Sequence, residues 1–441
     1  MAKEKGDWQM EEELRRKSRI SKNTLLLALC WLVYTCSVIA KLNYTASITQ
    51  VEEFFGVSHA RAGMVSTFYF FAYGAGQIFN GLFCKKYNIK YVILVGLFLS
   101  GGANLWVGLT NRFEIIKYLW LVNGISLSVL WPCLIRLLSE SLPKKDMARA
   151  SIVIGTTTAA GTFIIYGLGA LFAQFEVFRF SFYTAAILLP LVGLLWLCTF
   201  NRLTKKTPEE LAAEAEEDEV PVSPAAQNQT KGKMSRWLLS TILLLAFFAV
   251  ATNLVKDGLM TWLPSILKEK YGLPASVSIL LTLFLPVLAI FGNLFANILY
   301  KRLRDFILLC GTLFAGAALL VGLVIGLLST GQFIVTLIAF AVVNFLVGSS
   351  NSTITSIFPL QMKGKINSGM IAGLLNGCCY VGSTISSYGL GVVADFWGWN
   401  AVFYLLLGVA CAVVVAAAIY TLVRLLAAKK KERKEEEKPL D

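Results

Sequence analysis

The chain has 441 residues, of which 56% are hydrophobic and 15% are charged, and its mean hydropathy is +0.66. Soluble globular proteins are about 45–50% apolar and about 25% charged, so this composition excludes a soluble enzyme, a disordered chain and a nucleic-acid-binding module. The apolar residues form runs of about 20 residues, the length of a helix that crosses a bilayer core. A β-barrel would need shorter alternating segments. The sequence therefore predicts an all-α integral membrane protein.

Twelve apolar runs are long enough to be transmembrane helices: 24–47, 60–83, 91–110, 114–139, 148–173, 180–200, 237–264, 276–299, 306–328, 332–357, 367–393 and 400–426. A charged stretch containing proline and serine separates the first six runs from the last six. The predicted organisation is an N-terminus at 1–23, a six-helix bundle at 24–200, a linker at 201–236, a second six-helix bundle at 237–426 and a tail at 427–441.

The positive charges predict the orientation of these spans. Of the 40 Lys and Arg residues, 30 lie in the N-terminus, the loops on the same side as it, the linker and the tail, and only six lie in the opposite loops. Loops rich in Lys and Arg face the cytoplasm. We therefore predict a multi-pass protein of the cell inner membrane with both termini in the cytoplasm, and we attribute the net charge of +13 to this topology and to contact with membrane lipid.

Cysteine and histidine give no indication of a disulfide, a metal site or a cofactor. The nine cysteines fall almost entirely in apolar runs or at their ends, without the paired spacing of disulfide or metal motifs. The single histidine, His59, lies in a short polar loop on the predicted outer side. We therefore predict no metal and no cofactor, and we judge His59 a poor candidate for proton coupling inside the membrane.

The two halves of the chain repeat. When the sequence is shifted over itself by 215 residues, Lys41 aligns with Lys256, and Gly56 aligns close to Gly272. A repeat of six spans and six spans around a polar linker is the layout of the major facilitator fold, in which two pseudo-symmetric bundles move around a site at the membrane midplane. This layout favours a transporter over a receptor or a membrane enzyme.

Lys41 and Lys256 are ionisable groups deep inside the first and seventh spans. A charged residue retained at such depth usually faces an aqueous cavity and has a function. Because the two spans are equivalent in the repeat, the two ammonium groups are expected to face one central cavity and to bind an anion between them. The alternative is that one lysine extends to the membrane interface while the other pairs with Asp257.

Polar and aromatic residues near the depth of these lysines are further candidates for the substrate site: Tyr34, Asn43, Tyr44, Tyr73, Gln77, Thr158, Asn253 and Tyr380. For each of them alone, a hydrogen bond between helices is an equally good interpretation. Asp257 is the only carboxylate well inside a predicted span, which makes it the candidate for proton coupling. Its side chain lies about 100° around the helix from Lys256, so a contact with a neighbouring span is an alternative role for Asp257.

Several motifs resemble the organophosphate:phosphate antiporter family of the major facilitator superfamily, which includes glycerol phosphate and hexose phosphate carriers. They are AKLNY at 40–44, AYG at 72–74, WPCLIR at 131–136, VKDGLMTWLPSILKE at 255–269 and ADFWGW at 394–399. The resemblance implies anion exchange for inorganic phosphate by alternating access, without ATP. It also implies that Lys41 and Lys256 occupy the positions of two phosphate-binding arginines, and that Tyr34, Tyr73 and Tyr380 match cavity tyrosines.

The chain departs from this family at several of its functional positions. Lysine replaces both arginines, Gln77 stands where the family has a lysine, and Thr158 stands approximately where it has a histidine. Lys85 and Lys301 replace an acidic residue of the loops after the second and eighth spans. A smaller or less charged anion, such as a carboxylate or sugar acid, is therefore an alternative substrate to an organophosphate.

The sequence favours a monomeric exchanger of small organic anions, with inorganic phosphate as a possible counter-substrate. Two other functions stay open. The first is a proton-coupled symporter of an organic anion, and the second is a transporter-like membrane sensor of a phosphorylated sugar.

Overall fold

A computed structural model describes residues 22–83, 86–205, 236–327, 331–362 and 368–436. Nearly all of these residues are helical, and none of them lies in a strand. The predicted all-α class is therefore confirmed. The predicted cytoplasmic N-terminus and central linker lie almost entirely outside these ranges, as do Lys85 and the last five residues of the tail.

Six long helices cross the N-terminal half in the predicted order: Lys22–Ala46, His59–Phe83, Ile89–Leu109, Phe113–Ser141, Arg149–Gln174 and Phe180–Thr204. The first of them breaks briefly at Ser47 and continues as the short helix Ile48–Phe55. His59 was predicted to lie in a loop, but it is the first residue of the second helix.

The C-terminal half begins with the helices Arg236–Tyr271, Ala275–Leu303, Phe306–Gly326 and Phe333–Ile357 and ends with Ser368–Glu436. The last helix is bent at Gly398, whose φ of 75° and ψ of 173° are not helical, so it forms the eleventh and twelfth spans. Ten helices of the described residues are long and apolar enough to cross a membrane. The bent helix counts once among these ten but supplies two spans, and His59–Phe83, which is not among the ten, supplies another. The described residues therefore form twelve spans.

Large apolar side chains cover the outside of the molecule. Phe71, Leu82, Leu319 and Ile419 are examples that stay more than half exposed although they lie within long helices. A soluble protein rarely exposes so much contiguous apolar surface. Helices also satisfy their own backbone hydrogen bonds, as a lipid environment requires. The chain is therefore a multi-pass membrane protein.

Each half packs its spans in the same way. In the first half, the first span packs on the fifth, the second on the fourth and the third on the sixth. In the second half, the seventh packs on the eleventh, the eighth on the tenth and the ninth on the twelfth. The equivalent loops also match, because Gly56 (φ 59°) and Gly272 (φ 67°) both end a helix in the left-handed conformation. The two halves are thus pseudo-symmetric bundles.

The two bundles meet through the second and eleventh spans and through the fifth and eighth spans. The contact is tight at the distal end, which we define as the end of the molecule opposite the chain termini. There a Cβ atom on Gly63 would lie 2.0 Å from the backbone oxygen of Ser387. Slightly deeper, the Thr67 hydroxyl donates a hydrogen bond of 2.9 Å to the Thr384 carbonyl. The bundles are therefore closed against each other at the distal end.

Candidate functional site

A cavity of about 250 Å³ lies between the two bundles. Its wall takes residues from the first, second, fourth and fifth spans of one bundle and from the seventh, eighth, tenth and eleventh of the other. The polar and charged residues in this wall are Tyr34, Ser37, Lys41, Thr45, Tyr69, Tyr73, Thr158, Thr162, Asn253, Lys256, Asp257, Thr261, Asn344 and Tyr380. A larger, open crevice of about 780 Å³ at the distal surface contains neither intramembrane lysine.

Lys41 reaches the cavity from the first span and lies among aromatic rings. Its Nζ atom is 4.8 Å from the ring centre of Tyr73, 5.7 Å from that of Tyr380 and 5.8 Å from that of Phe70. An ammonium group over an aromatic face is attracted by the ring quadrupole. Within the described part of the chain, no carboxylate lies within 4.0 Å of Lys41. Its positive charge is therefore partly stabilised but not neutralised.

Lys256 lies in the same cavity wall but has a carboxylate partner. Its Nζ atom is 3.3 Å from Oδ1 of Asp257, and both side chains are partly accessible. The other oxygen of Asp257 accepts hydrogen bonds from Ser383 and, at 3.2 Å, from Asn253. Asp257 thus combines the two contacts that the sequence left open, because it pairs with Lys256 and also bonds to the eleventh span. Lys256 keeps its place in the cavity wall despite this pairing.

Three of the four predicted tyrosines, Tyr34, Tyr73 and Tyr380, line the cavity. Tyr73 and Tyr380 come from different bundles, and their ring centres are 5.2 Å apart. Tyr34 packs against Trp131 at 4.8 Å. Gln77 is absent from the cavity wall and donates a hydrogen bond of 2.9 Å to the Tyr73 hydroxyl. Gln77 therefore contacts a residue of the cavity wall without lying in that wall itself.

Asn43 and Tyr44, two further predicted site residues, lie outside the cavity wall. The Asn43 amide donates to Asn104 at 2.7 Å and to the Ser181 carbonyl at 3.3 Å, inside the N-terminal bundle. The Tyr44 hydroxyl donates to the Ala62 carbonyl at 2.9 Å. Both side chains are fully buried. They hold neighbouring helices together, which is the alternative that the sequence left open for each of them.

Sequence reasoning missed several cavity residues that are spaced four positions from a predicted one. Ser37 and Thr45 flank Lys41, Thr162 follows Thr158, and Thr261 follows Asp257. Residues four apart share one face of a helix. Extending each predicted position by one helical turn in both directions would have identified this second set.

A family model and two proteins illustrate what the chain is similar to. The model of the Major Facilitator Superfamily matches residues 30–387, and the chain belongs to this family. The chain is 23% identical over 407 residues to a probable hexose phosphate transport protein of Chlamydia pneumoniae, covering 86% of this chain and 87% of that protein. It is also 23% identical to a probable sulfoacetate transporter of Cupriavidus necator, covering 90% and 93%. These matches confirm the resemblance to the organophosphate:phosphate antiporters.

A solved structure gives the same fold. It is a bacterial homologue of the human lysosomal transporter Spinster in an inward-facing and occupied conformation. The TM-score is 0.69 with 14% sequence identity, and the match covers 92% of this chain and 97% of that one. The fold is thus the major facilitator fold. The match to the Major Facilitator Superfamily and the transport proteins among the relatives place the chain among membrane transport proteins rather than enzymes.

Proposed function

We propose that this protein is a secondary transporter of a small organic anion, which Lys41 and Lys256 bind in the central cavity. One observation carries the proposal. Two lysines from opposite bundles line the same cavity at positions that the internal repeat relates to each other. A substrate held between them contacts both bundles, so it can link their rearrangement to its own passage.

The charges in the cavity wall favour an anion. Two ammonium groups and the carboxylate of Asp257 leave one net positive charge. An uncompensated charge inside the membrane region is costly, and a bound anion removes that cost. A cationic substrate would add to the existing charge instead. The cavity is therefore suited to carry negatively charged solutes.

The first substrate class to test is organophosphates, because the probable hexose phosphate transport protein is among the relatives. Two features extend the range to smaller anions. The cavity of about 250 Å³ is below the usual range of about 300–1,000 Å³ for ligand pockets. Lysine also offers a point charge rather than the bidentate hydrogen bonding of arginine, so it suits sulfonates and carboxylates as well. The probable sulfoacetate transporter among the relatives is consistent with this wider range.

Exchange of anions, with inorganic phosphate as a counter-substrate, is the favoured mechanism. An empty cavity keeps its net positive charge, which disfavours reorientation of the bundles until an anion is bound. Proton-coupled symport is the second candidate, and one observation supports it. Asp257 is a carboxylate in the cavity wall, where protonation would release Lys256 from its ion pair.

The proposed setting is the cell inner membrane, with both termini in the cytoplasm and the distal end facing outward. The split of Lys and Arg between the two sides supports this orientation. The distal closure then leaves the cavity on the cytoplasmic side of the contact between the bundles. We propose that the monomer is the functional unit, because each of the two lysines comes from a bundle of the same chain.

Exchange in proteoliposomes tests this function. Vesicles containing the purified protein are loaded with unlabelled phosphate and then given labelled phosphate, hexose phosphate, glycerol phosphate or sulfoacetate outside. We expect counterflow of at least one of these anions in loaded vesicles and much less in empty ones. Equal uptake into both, driven by an inward proton gradient, would favour symport. Saturable binding without flux would identify a sensor.

A further inference from the structure

Three side chains from both bundles meet at the distal end, and we call them the distal clamp: Glu52, His59 and Glu269. Glu52 lies on the short helix Ile48–Phe55, and His59 begins the second span of the same bundle. Glu269 lies near the end of the seventh span in the other bundle. The imidazole of His59 therefore bridges the two bundles where they are closed.

The hydrogen bonds in the distal clamp involve both ring nitrogens of His59. Nδ1 lies 2.9 Å from Oε1 of Glu52, and Nε2 lies 3.1 Å from Oε2 of Glu269. Carboxylates only accept hydrogen bonds when ionised, and an imidazole donates from both nitrogens only when it is protonated. The geometry therefore fits an imidazolium cation between two anions. Deprotonation would leave one carboxylate facing a nitrogen lone pair.

The same three side chains bring ligand atoms within 4.8 Å of one another, close enough to hold a metal ion. One ion can bind only one nitrogen of an imidazole ring, however, because the two nitrogens point in different directions. Here each nitrogen already faces a different carboxylate. The observed arrangement thus matches a bridging cation better than a set of metal ligands.

The remaining charged groups around His59 leave it in an acidic environment. Asp395 of the eleventh span accepts the backbone N–H groups of His59 and Ala60, both at 2.9 Å. Lys268 of the seventh span pairs with Glu53 on the neighbouring short helix. The excess of carboxylates favours a proton on the imidazole.

Neutral partners complete the surroundings of the distal clamp. Trp399 donates a hydrogen bond of 2.9 Å to Glu269, and the buried hydroxyl of Ser265 donates to Glu52 at 3.4 Å. The rings of Trp262 and Trp399 pack against the imidazole at 5.7 and 4.9 Å. No group of the distal clamp is in the wall of the central cavity.

We propose that the distal clamp is a proton-controlled gate, in which an imidazolium at His59 holds the two bundles together and its deprotonation lets them separate. The inference rests on the alternating access of the proposed function, and it adds a regulatory role for external pH. His59 keeps Glu52 when the bundles separate, because both belong to one bundle, but it loses Glu269. Opening therefore lowers the proton affinity of the imidazole.

The sign of the pH effect follows from this difference. The closed state binds the proton more tightly than the open state, which keeps Glu52 but loses Glu269, so the extra stability of closure is complete at low pH and is lost as the pH rises through the titration of the imidazole. Within that range closure takes up a proton, and the ratio of open to closed protein rises by up to about tenfold per pH unit. Because the distal clamp lies outside the cavity wall, its proton exchanges with the distal side and is not carried with the substrate.

Pulsed electron paramagnetic resonance can measure the gate without any transport. Spin labels on Arg112→Cys and Gln332→Cys, in a variant without the nine native cysteines, report the separation of two exposed distal loops on opposite bundles. We expect a short distance to dominate at pH 6 and a longer one to grow as the pH rises to 9. An unchanged distribution would overturn the proposal. So would a distribution that depends on added zinc but not on pH.

Two substitutions of His59 separate charge from shape. His59→Lys keeps a positive charge at every pH of the series, so the distal end should stay closed throughout. His59→Gln cannot carry a charge, so the longer distance should already be populated at pH 6. Both variants should lose the pH dependence, but in opposite directions. A shift of both in the same direction would indicate a merely structural role and would overturn the proposal.

The single histidine of the chain allows a direct check that does not depend on the cysteine-free variant. With [¹⁵N]histidine and a purification tag that contains no histidine, nuclear magnetic resonance sees only the His59 ring. The ring should remain protonated at pH 8 in the wild type and should lose its proton at lower pH in Glu269→Gln. A neutral ring at pH 7 in both proteins would overturn the proposal. Neither result depends on whether the protein transports an anion, so the experiment can refute the gate without refuting the proposed function.

Discussion

The Lys41 ammonium lies 4.8 Å from the ring centre of Tyr73, on the neighbouring span of the same bundle. Tyr380 of the other bundle adds a second ring at 5.7 Å. Lys256, its counterpart in the repeat, is held by the Asp257 carboxylate instead. The two symmetric lysines are thus stabilised differently. Lys41, which has no carboxylate partner among the described residues, is the lysine that a bound anion would stabilise more.

Removing either lysine should abolish transport without preventing folding. We expect Lys41→Ala and Lys256→Ala to insert normally and to lose at least about 10-fold in exchange rate, because a hydrogen bond to a charged group contributes about 1.5–3 kcal/mol. Counterflow in proteoliposomes and the amount of folded protein measure the two effects. Lys205→Ala, an exposed lysine outside the cavity wall, is the matched control. Exchange at the wild-type rate by both cavity variants would refute the anion site.

Neutralising Asp257 should separate exchange from proton symport. In Asp257→Asn the cavity gains a net positive charge and Lys256 loses its ion pair, so we expect exchange to persist with tighter binding of divalent anions. Uptake driven by a proton gradient should be absent in the wild type and in the variant. If the wild type does accumulate substrate with protons and Asp257→Asn loses only that activity, symport replaces exchange as the mechanism.

The Tyr73 ring should matter more than its hydroxyl. Tyr73→Phe keeps the ring over Lys41 and removes the hydroxyl that accepts the hydrogen bond from Gln77, so a small change in exchange rate is expected. Tyr73→Leu removes a cation–π contact of about 0.5–2 kcal/mol and should weaken anion exchange several-fold. The apparent affinity for the anion in counterflow measures the difference. Equal effects of the two substitutions would exclude the ring contact as the cause.

A methyl group at Gly63 should prevent the distal end from closing. The added Cβ would lie 2.0 Å from the backbone oxygen of Ser387 in the other bundle, and neither backbone can move without separating the bundles. Gly63→Ala should therefore increase the longer distance between the distal spin labels and slow exchange. Gly102→Ala, where the added Cβ meets nothing within 4 Å, should leave both unchanged. A short distance in Gly63→Ala would show that the closure tolerates this change.

The sequence predicted the spans because each span is a local property, and it predicted the repeat because the two halves can be compared directly in the sequence. An apolar run of about 20 residues reports its own environment. The direction of a side chain within a span was harder to predict, and Asn43 illustrates why. It lies only two residues from Lys41, but that step turns it toward Asn104 and the inside of the N-terminal bundle. A span packed on several sides by protein offers no amphipathic pattern to distinguish a cavity face from a packing face.

The distal clamp could not be predicted from the sequence for a different reason. His59 and Glu269 are 210 residues apart, and their contact depends on how the two bundles close. His59 was placed in a loop because only three residues separate Phe55 from it, and such a short stretch carries no periodic pattern. The internal repeat that predicted the lysine pair does not predict the distal clamp, because the residues of the distal clamp are not repeated in the other half of the chain.

Ligand stabilisation of the purified protein tests the lysine pair most directly. Thermal unfolding is followed with phosphate, glycerol phosphate, hexose phosphate and sulfoacetate, each compared with the uncharged parent sugar or alcohol where one exists. We predict that at least one anion raises the melting temperature of the wild type and that Lys41→Gln combined with Lys256→Gln abolishes this shift. An equal shift in the double variant, or stabilisation of the wild type by the uncharged compounds alone, would contradict the account.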